Sequence, residues 1–321
     1  MSRYVSYLID DVRQSTENED FSETIGIKDA EFLRFLNDAQ YRIQNLIVQQ
    51  HPNIFVKDKT YSVVGSQEAY TLPNDAYMGN KVTNVEYSHQ STGLDYFYNL
   101  RPTVNMNRKS GTNSGFSYNR PEHYIRRSNQ ILLVPVPTSS TGQLRLSYVQ
   151  RLPKLDLRRG SVATVTLDSN NNTITTLTLD VSTDTVDTTE LSKWTRVSFV
   201  DAEGNVKMSN IQVDAVSGST GEVTVNASFS YQDGETIEVG NYIVAGDYAT
   251  THIQLDDMVE RYLIAYATLK ILQRDSNIMD LQTQQNILLE MESDIVSAYA
   301  EISDDITEIP DIISYDDDWT Y

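Results

Sequence analysis

Near the start of the chain, apolar residues recur every three to four positions. Tyr4, Val5, Leu8, Ile9 and Val12 fall on one face of a short helix, and a polar stretch from Ser15 to Glu23 ends it. A second stripe follows in Phe32, Leu33, Leu36, Ala39, Ile43, Leu46 and Ile47, with Asp29 as the expected N-cap. This helix should stop before His51-Pro52, because the residue preceding a proline disfavours the helical region. From Lys57 the period changes to two. The run from Lys57 to Pro73 is predicted as a hairpin turning near Gly65-Ser66, and VTNVEYSH, YIRRS, QILLVPVP and GQLRLSYVQRLP continue the strand pattern. Residues 105 to 119, polar and rich in Gly, Ser and Asn, are predicted as a long exposed loop.

From residue 161 to 246 the chain is rich in Thr, Val, Ser and Asp. Short alternating runs such as VATVTL, ITTLTL, RVSFV and EVTVNASF lie between turn signals such as SNNN, DAEGN and SGSTG. Short strands at this spacing predict a small sandwich or barrel. Helical spacing then returns. Asp256 is placed to cap a helix carrying Met258, Val259, Tyr262, Leu263, Tyr266 and Leu269. A longer helix follows with Leu281, Leu288, Ile295 and Ile302 at intervals of seven, a seam suited to antiparallel packing on its predecessor. Pro310 stops it, and DIISYDDDWTY forms an acidic, aromatic tail.

Helical patterns at both ends of the chain, with strand patterns between, predict an α+β multidomain fold. Its N- and C-terminal segments form one helical bundle, interrupted by a large antiparallel β-rich insertion of sandwich or barrel type. The expected division is a helical core of residues 1–55 and 250–310, a β-rich domain continuous with it over 56–160, an inserted small β-sandwich or barrel over 161–249, and an extended acidic tail over 311–321. Such an insertion requires its two ends to lie close together.

Charge sharpens this picture. The 321 residues carry 25 basic and 45 acidic side chains, a net charge of −20, which argues against a generic DNA-wrapping surface. The charge is segregated. From Arg101 to Gly160 there are eleven Lys or Arg against Glu122 and Asp156, whereas from Thr251 onward three basic residues face sixteen acidic ones. A chain divided in this way suits a complementary neighbour, another copy of itself included, although solvated faces would show the same segregation. Twenty tyrosines against eight phenylalanines favour surfaces that become buried on assembly. No cysteine is present, so disulfides and thiolate metal sites are excluded. No signal peptide is expected, since Asp10 and Asp11 interrupt the first apolar run, and no window is long enough to span a bilayer.

Candidate chemistry is sparse. His51, His89, His123 and His252 stand apart, lack metal-ligand spacing and are expected at surfaces or turns. Asp256, Asp257 and Glu260 are explained by helix capping, and Asp316-Asp317-Asp318 lacks a preorganised cation cage. No phosphate-cradling glycine loop, nucleophile elbow or zinc helix motif occurs. Neither an enzyme nor a cofactor or metal is therefore expected. The basic stretch of Arg101, Arg108, Arg120, Arg126, Arg127, Arg145, Arg151, Arg158 and Arg159, interleaved with aromatics, has three readings. It is a contact for nucleic-acid backbone, a subunit or partner interface for an acidic protein surface, or a set of outward strand positions. The overall charge favours the second.

Three blocks carry a family resemblance: FLRFLNDAQYRIQNLI; YTLPNDAY with the PEHYI, ILLVPVP and GQLRLSYVQRLP series; and LDDMVERYLIAYATLKILQRDSN with LLEMESDIVSAYAEI. Together they resemble the head-to-tail adaptor, or connector, proteins of short-tailed bacteriophages, best over residues 28–160 and 250–310. The segment 161–246 departs from the compact helical adaptors. The resemblance implies a structural virion protein of the head–tail neck, assembled in the host cytoplasm. It implies a homo-oligomeric ring of about twelve copies, docked under the portal protein and presenting a platform to a tail nozzle or fibre protein, with DNA crossing the lumen without specific binding and no membrane partner. It also makes Ile309, Ile312, Ile313, Tyr315, Trp319 and Tyr321 candidate portal-docking anchors. Two other classes compete: a glycan- or receptor-binding β-rich tail module, and a wall hydrolase using paired carboxylates, for which no pair has local support.

Overall fold

A computed structural model describes residues 3–16, 28–51, 53–77, 81–89, 96–104, 120–138, 140–167, 173–180, 196–213, 215–219, 222–230, 237–275 and 278–304. The apolar stripes form helices α1 (Val5–Ser15), α2 (Asp29–Gln50), α3 (Asp257–Asp275) and α4 (Ile278–Asp304). Val5, Leu8, Ile9 and Val12 of α1 and Phe32, Leu36, Ala39, Ile43 and Ile47 of α2 pack into one core with Val259, Tyr262, Leu263, Ala267 and Ile271 of α3. Leu288, Ile295 and Tyr299 of α4 complete it. Helices from opposite ends of the chain therefore exclude water together, and none of the four buries its stripe alone.

Polar contacts fix the closure. The Val5 amide donates to the Thr251 carbonyl at 2.9 Å, and the Ile253 amide to that of Arg3 at 3.1 Å. Arg3 reaches Asp11 at 2.7 Å and Glu260 at 2.5 Å. Arg42 pairs with Glu292 at 2.8 Å, and Glu292 also accepts from the Tyr262 hydroxyl at 2.8 Å. Asp29 does not cap α2: Lys28 holds that position, and the Asp29 carboxylate accepts from Arg13 of α1 instead. An interhelical ion pair has taken the side chain that a local cap would have used. Asp256 does precede α3, its carbonyl accepting from the Val259 and Glu260 amides.

The strands between the helices form three main sheets. The first two hold β1 (Val56–Ser62), β2 (Ala69–Thr71), β3 (Val82–Ser88), β4 (Tyr98–Asn99), β5 (Arg101–Pro102), β6 (His123–Arg127), β7 (Gln130–Val134) and β8 (Gln143–Val149). Their orders are β1-β8-β3-β4 and β2-β7-β6-β5, antiparallel except for the parallel β5–β6 pair. Val63, Tyr70, Val85, Tyr87, Ile131, Leu133, Leu144, Leu146 and Tyr148 form the core they share.

The expected hairpin across Gly65-Ser66 is corrected: β1 pairs with β8 and β2 with β7, in different sheets. Alternation marked both strands but could not choose their partners. The turn is a corner between sheets, clamped by Ser66 N–H to Pro137 O at 2.8 Å and Gly65 N–H to Ser140 Oγ at 3.0 Å. A Cβ on Gly65 would meet the Thr138 carbonyl oxygen at 2.8 Å, so the approach needs glycine.

The chain then leaves through β9 (Lys154–Leu155) into β10 (Ser161–Leu167), β11 (Thr173–Asp180), β12 (Arg196–Val200), β13 (Val206–Gln212), β14 (Ala215–Ser219), β15 (Glu222–Ser230) and β16 (Tyr242–Ala245), returning through β17 (Ala249–Thr250). Seven of these form one antiparallel sheet of order β13-β12-β16-β10-β11-β15-β14, rolled so that β13 also meets β15. β9 and β17 pair in parallel, and Asp156 N–H to Thr250 O (2.9 Å) and Arg159 N–H to Ile243 O (3.0 Å) extend the contact. Outgoing and returning chain thus run side by side, which lets the sheet leave the helical core without breaking it. Val197, Phe199 and Ile243 are buried on one face of this sheet, and Val200 and Val244 pack on the other against Ala249 of β17.

Candidate functional site

The helical core, the sandwich formed by the two four-stranded sheets of β1–β8, and the seven-stranded outer sheet of β10–β16 meet along residues 150–155. Asn37, Gln40 and Gln44 lie one above another on a single face of α2, because residues three and four apart on a helix are neighbours. They bind the extended backbone opposite them. Asn37 accepts from the Leu155 amide at 2.8 Å and donates to the Leu155 carbonyl at 2.9 Å. Gln40 donates to Pro153 O at 2.8 Å. Gln44 donates to Gln150 O at 2.9 Å and accepts from Leu152 N–H at 3.2 Å. The helix thereby supplies the partners that a neighbouring strand would have supplied.

Asp75 holds the other side of the junction. Its carboxylate accepts from the Tyr148 hydroxyl and from Gln150 Nε2, each at 2.9 Å, and its carbonyl accepts from the Arg151 amide at 2.7 Å. Gln150 also donates to the Tyr248 hydroxyl at 2.7 Å, and Arg151 pairs with Asp247 at 2.8 Å over the Tyr248 ring. Burial first, and then the Asp75 charge, push the Tyr148 and Tyr248 phenols well above their ordinary range. Burial opposes ionisation of Asp247, but Arg151 and Lys154 outweigh it and hold its carboxyl below the usual range. The network ties the sandwich to the returning chain through Asp75, Gln150 and Arg151.

The predicted basic stretch divides in two. Arg145 is taken by Glu86 and stacks over Phe97 at 4.1 Å. Arg151 serves the junction, Arg158 lies over the Tyr242 ring at 4.8 Å, and Arg159 chelates Asp156 at 2.9 Å. Arg101, Arg120, Arg126 and Arg127 are exposed on or beside β5 and β6, at the edge, among the described residues, of the β2-β7-β6-β5 sheet. They spread along that edge and do not converge on one point. Arg108 and the tail positions Ile309, Ile312, Ile313, Tyr315, Trp319 and Tyr321 lie outside the described residues.

His252, expected at a surface or turn, is buried. Its ring lies 4.0 Å from that of Tyr4, its Nδ1 is 2.9 Å from Thr251 Oγ1, and Gly204 covers it so closely that a Cβ there would stand 2.4 Å from His252 Cβ. Contact between the N-terminal segment and the returning chain buries the ring, and no local pattern encodes that contact. The junction residues were also missed. Their signal was polar side chains at Gln40 and Gln44 on the inward side of an apolar stripe, which in a folded protein must find partners. Among the described residues, no group of three or more His, Asp or Glu is placed to hold a metal ion, and no helix is long and apolar enough to cross a membrane.

A sequence profile of the family described as SU10 adaptor protein matches residues 5–177, more than half of the chain. The match covers α1, α2, the sandwich and the first strands of the outer sheet. No curated protein matches the chain.

Proposed function

We infer that this chain, which belongs to the SU10 adaptor protein family, is the ring-forming adaptor that joins a virion's head to its tail. Membership makes it a phage structural adaptor and a virion component. The finer reading is that residues 1–55 and 250–310 form the ring-building core, with copies, about twelve, closing around the path of the genome. The ring docks beneath a portal protein, residues 309–321 reach that partner, and the sandwich and outer sheet form the platform met by a tail nozzle or fibre. A lumen lined by a strongly acidic protein repels phosphate and lets DNA slide.

One observation carries this reading: two unlike charged surfaces stand on a single tied scaffold. A ring joins one face of each subunit to a different face of the next, so its two faces must be complementary and held in fixed relation. The β5–β6 edge presents Arg101, Arg126 and Arg127, while α4 presents Glu290, Asp294 and the 61% exposed Leu289 to solvent. The junction of Asn37, Gln40, Gln44 and Asp75 fixes the relation between the two.

Mass photometry of the purified protein, alone and with portal, tests this. Rings are expected, and Arg126→Glu with Arg127→Glu should leave folded single subunits. Undiminished ring formation by that double variant would remove the basic edge from the interface. Single subunits of the unsubstituted protein under both conditions would remove the ring.

A further inference from the structure

A cleft of about 920 Å³ separates the sandwich from the outer sheet. β1 supplies alternate residues to it, Lys57, Lys59 and Tyr61, whereas β13 supplies every residue from Val206 to Gln212. Side chains on a strand alternate between faces. A cavity touching alternate residues therefore sees a strand's face, and one touching all of them sees its edge. The floor is the face of β1 that carries Lys57, Lys59 and Tyr61 opposite Tyr148, Leu146 and Leu144 of β8, and one wall is the edge of β13, the terminal strand of its sheet among the described residues. Lys57, Lys59, Lys207 and Arg196 line the cleft with Asp75 as the carboxylate in its lining, and Lys207 is also paired with Asp201 at 3.2 Å, so the cleft keeps a net positive charge. Asp75 is already engaged by Tyr148 and Gln150, and Lys57 approaches it only at 3.5 Å.

We propose that this cleft takes the acidic segment 305–321 of its own chain in the free subunit. The segment carries Asp305, Glu308, Asp311, Asp316, Asp317 and Asp318, has no Lys or Arg, and offers Tyr315, Trp319 and Tyr321 to apolar surface such as Met208 and Ile211. Its origin is adjacent. Ile295, Ala298 and Tyr299 of the last turns of α4 line a neighbouring cavity with Glu203, Asn205 and Gln254, and Asn205 and Gln254 also line the cleft. Seventeen extended residues reach roughly 55 Å, ample to run the length of β13. The neighbouring cavity is rimmed by Glu203, Asp256 and Asp257, which repel the segment's carboxylates and leave the cationic cleft as the nearby favourable site.

β13 pairs with β12 through two register shifts and holds Asn210 at φ 60, so its edge is not a regular template. Charge, not a continuous hydrogen-bond ladder, selects the segment. Docking on the subunit's own cleft holds whether or not the segment later reaches a portal, and the test uses the free chain alone.

The chain has no cysteine, so a pair introduced as Ser209→Cys and Ser314→Cys reports on the contact directly. Under mild oxidation at low salt the full-length variant should form an intramolecular disulfide, running faster than the reduced chain without dimer. Asp316→Asn, Asp317→Asn and Asp318→Asn together, which alter none of the described residues, should slow cross-linking about tenfold, as three exposed ion pairs acting together would. Lys59→Glu with Lys207→Glu should do the same, as should high salt. Predominantly intermolecular cross-links would assign the cleft to a second copy and overturn the proposal. Absence of cross-linking, or a rate indifferent to the Asp→Asn changes and to salt, would also overturn it.

Discussion

Replacing Gln44 by leucine tests whether the helix face of α2 supports the exit of the sandwich. Gln44 is 3% exposed, and its amide makes two hydrogen bonds, to the carbonyl of Gln150 and from the amide of Leu152. Leucine fills a similar volume without either partner, so the change leaves two backbone groups unsatisfied and creates little cavity. Each orphaned group costs about 1–3 kcal/mol, and the added apolar contact returns a fraction of that. A net loss of about 2–4 kcal/mol follows, equivalent to a fall in Tm of several degrees for a chain of this size. Gln49→Leu, on the exposed side of the same helix, should change stability by less than about 0.5 kcal/mol. Urea unfolding followed by circular dichroism measures both, and hydrogen exchange at Leu152 and Leu155 locates the effect. If Gln44→Leu were as stable as the parent protein with exchange at those amides unchanged, the polar face of α2 would not hold the junction.

Other consequences are as definite. Gly204 sits at φ +88 under the His252 ring, so Gly204→Ala should lower stability by about 2–4 kcal/mol in a thermal melt; an unchanged Tm would contradict that packing. Burial holds the His252 imidazole below its ordinary pKa, and Asp201 and Glu203 only partly oppose this. The unfolded chain then takes up a proton that the folded one refuses as pH falls through about 6.5. The stability from keeping this ring neutral is complete above that value and is lost below it, by up to about 1.4 kcal/mol per pH unit. Urea midpoints should therefore fall between pH 7.5 and 5.5, and His252→Asn should remove most of that difference; an identical fall in the variant would assign it elsewhere. Deleting residues 309–321 should leave the fold intact by circular dichroism and weaken capture by portal, and equal capture would end the docking role of that segment at the portal.

The elements were legible wherever burial is periodic and local. The stripes of α1 and α2, the stop at His51-Pro52 and the seam through Leu288 and Ile295 are written in spacing alone, and the helices form where that spacing falls. Partner choice was not legible. Tyr61 and Tyr70 sit in alternating runs that look like one hairpin, yet their strands belong to different sheets, because alternation records which face is buried and not which neighbour buries it. Arg145, Arg151, Arg158 and Arg159 looked like one basic stretch with Arg126 and Arg127, but their carboxylate and aromatic partners at Glu86, Asp247, Tyr242 and Asp156 are set by tertiary contacts. The same holds for His252, whose burial depends on Tyr4 from the far end of the chain.

The most direct measurement is electron microscopy of the purified protein, first alone and then mixed with its portal. The account predicts closed rings of a fixed number of subunits, stacked coaxially on the portal when both are present, with the β sheets displayed away from it. Isolated subunits in both preparations, or subunits bound to the portal singly and without contact between neighbours, would contradict it.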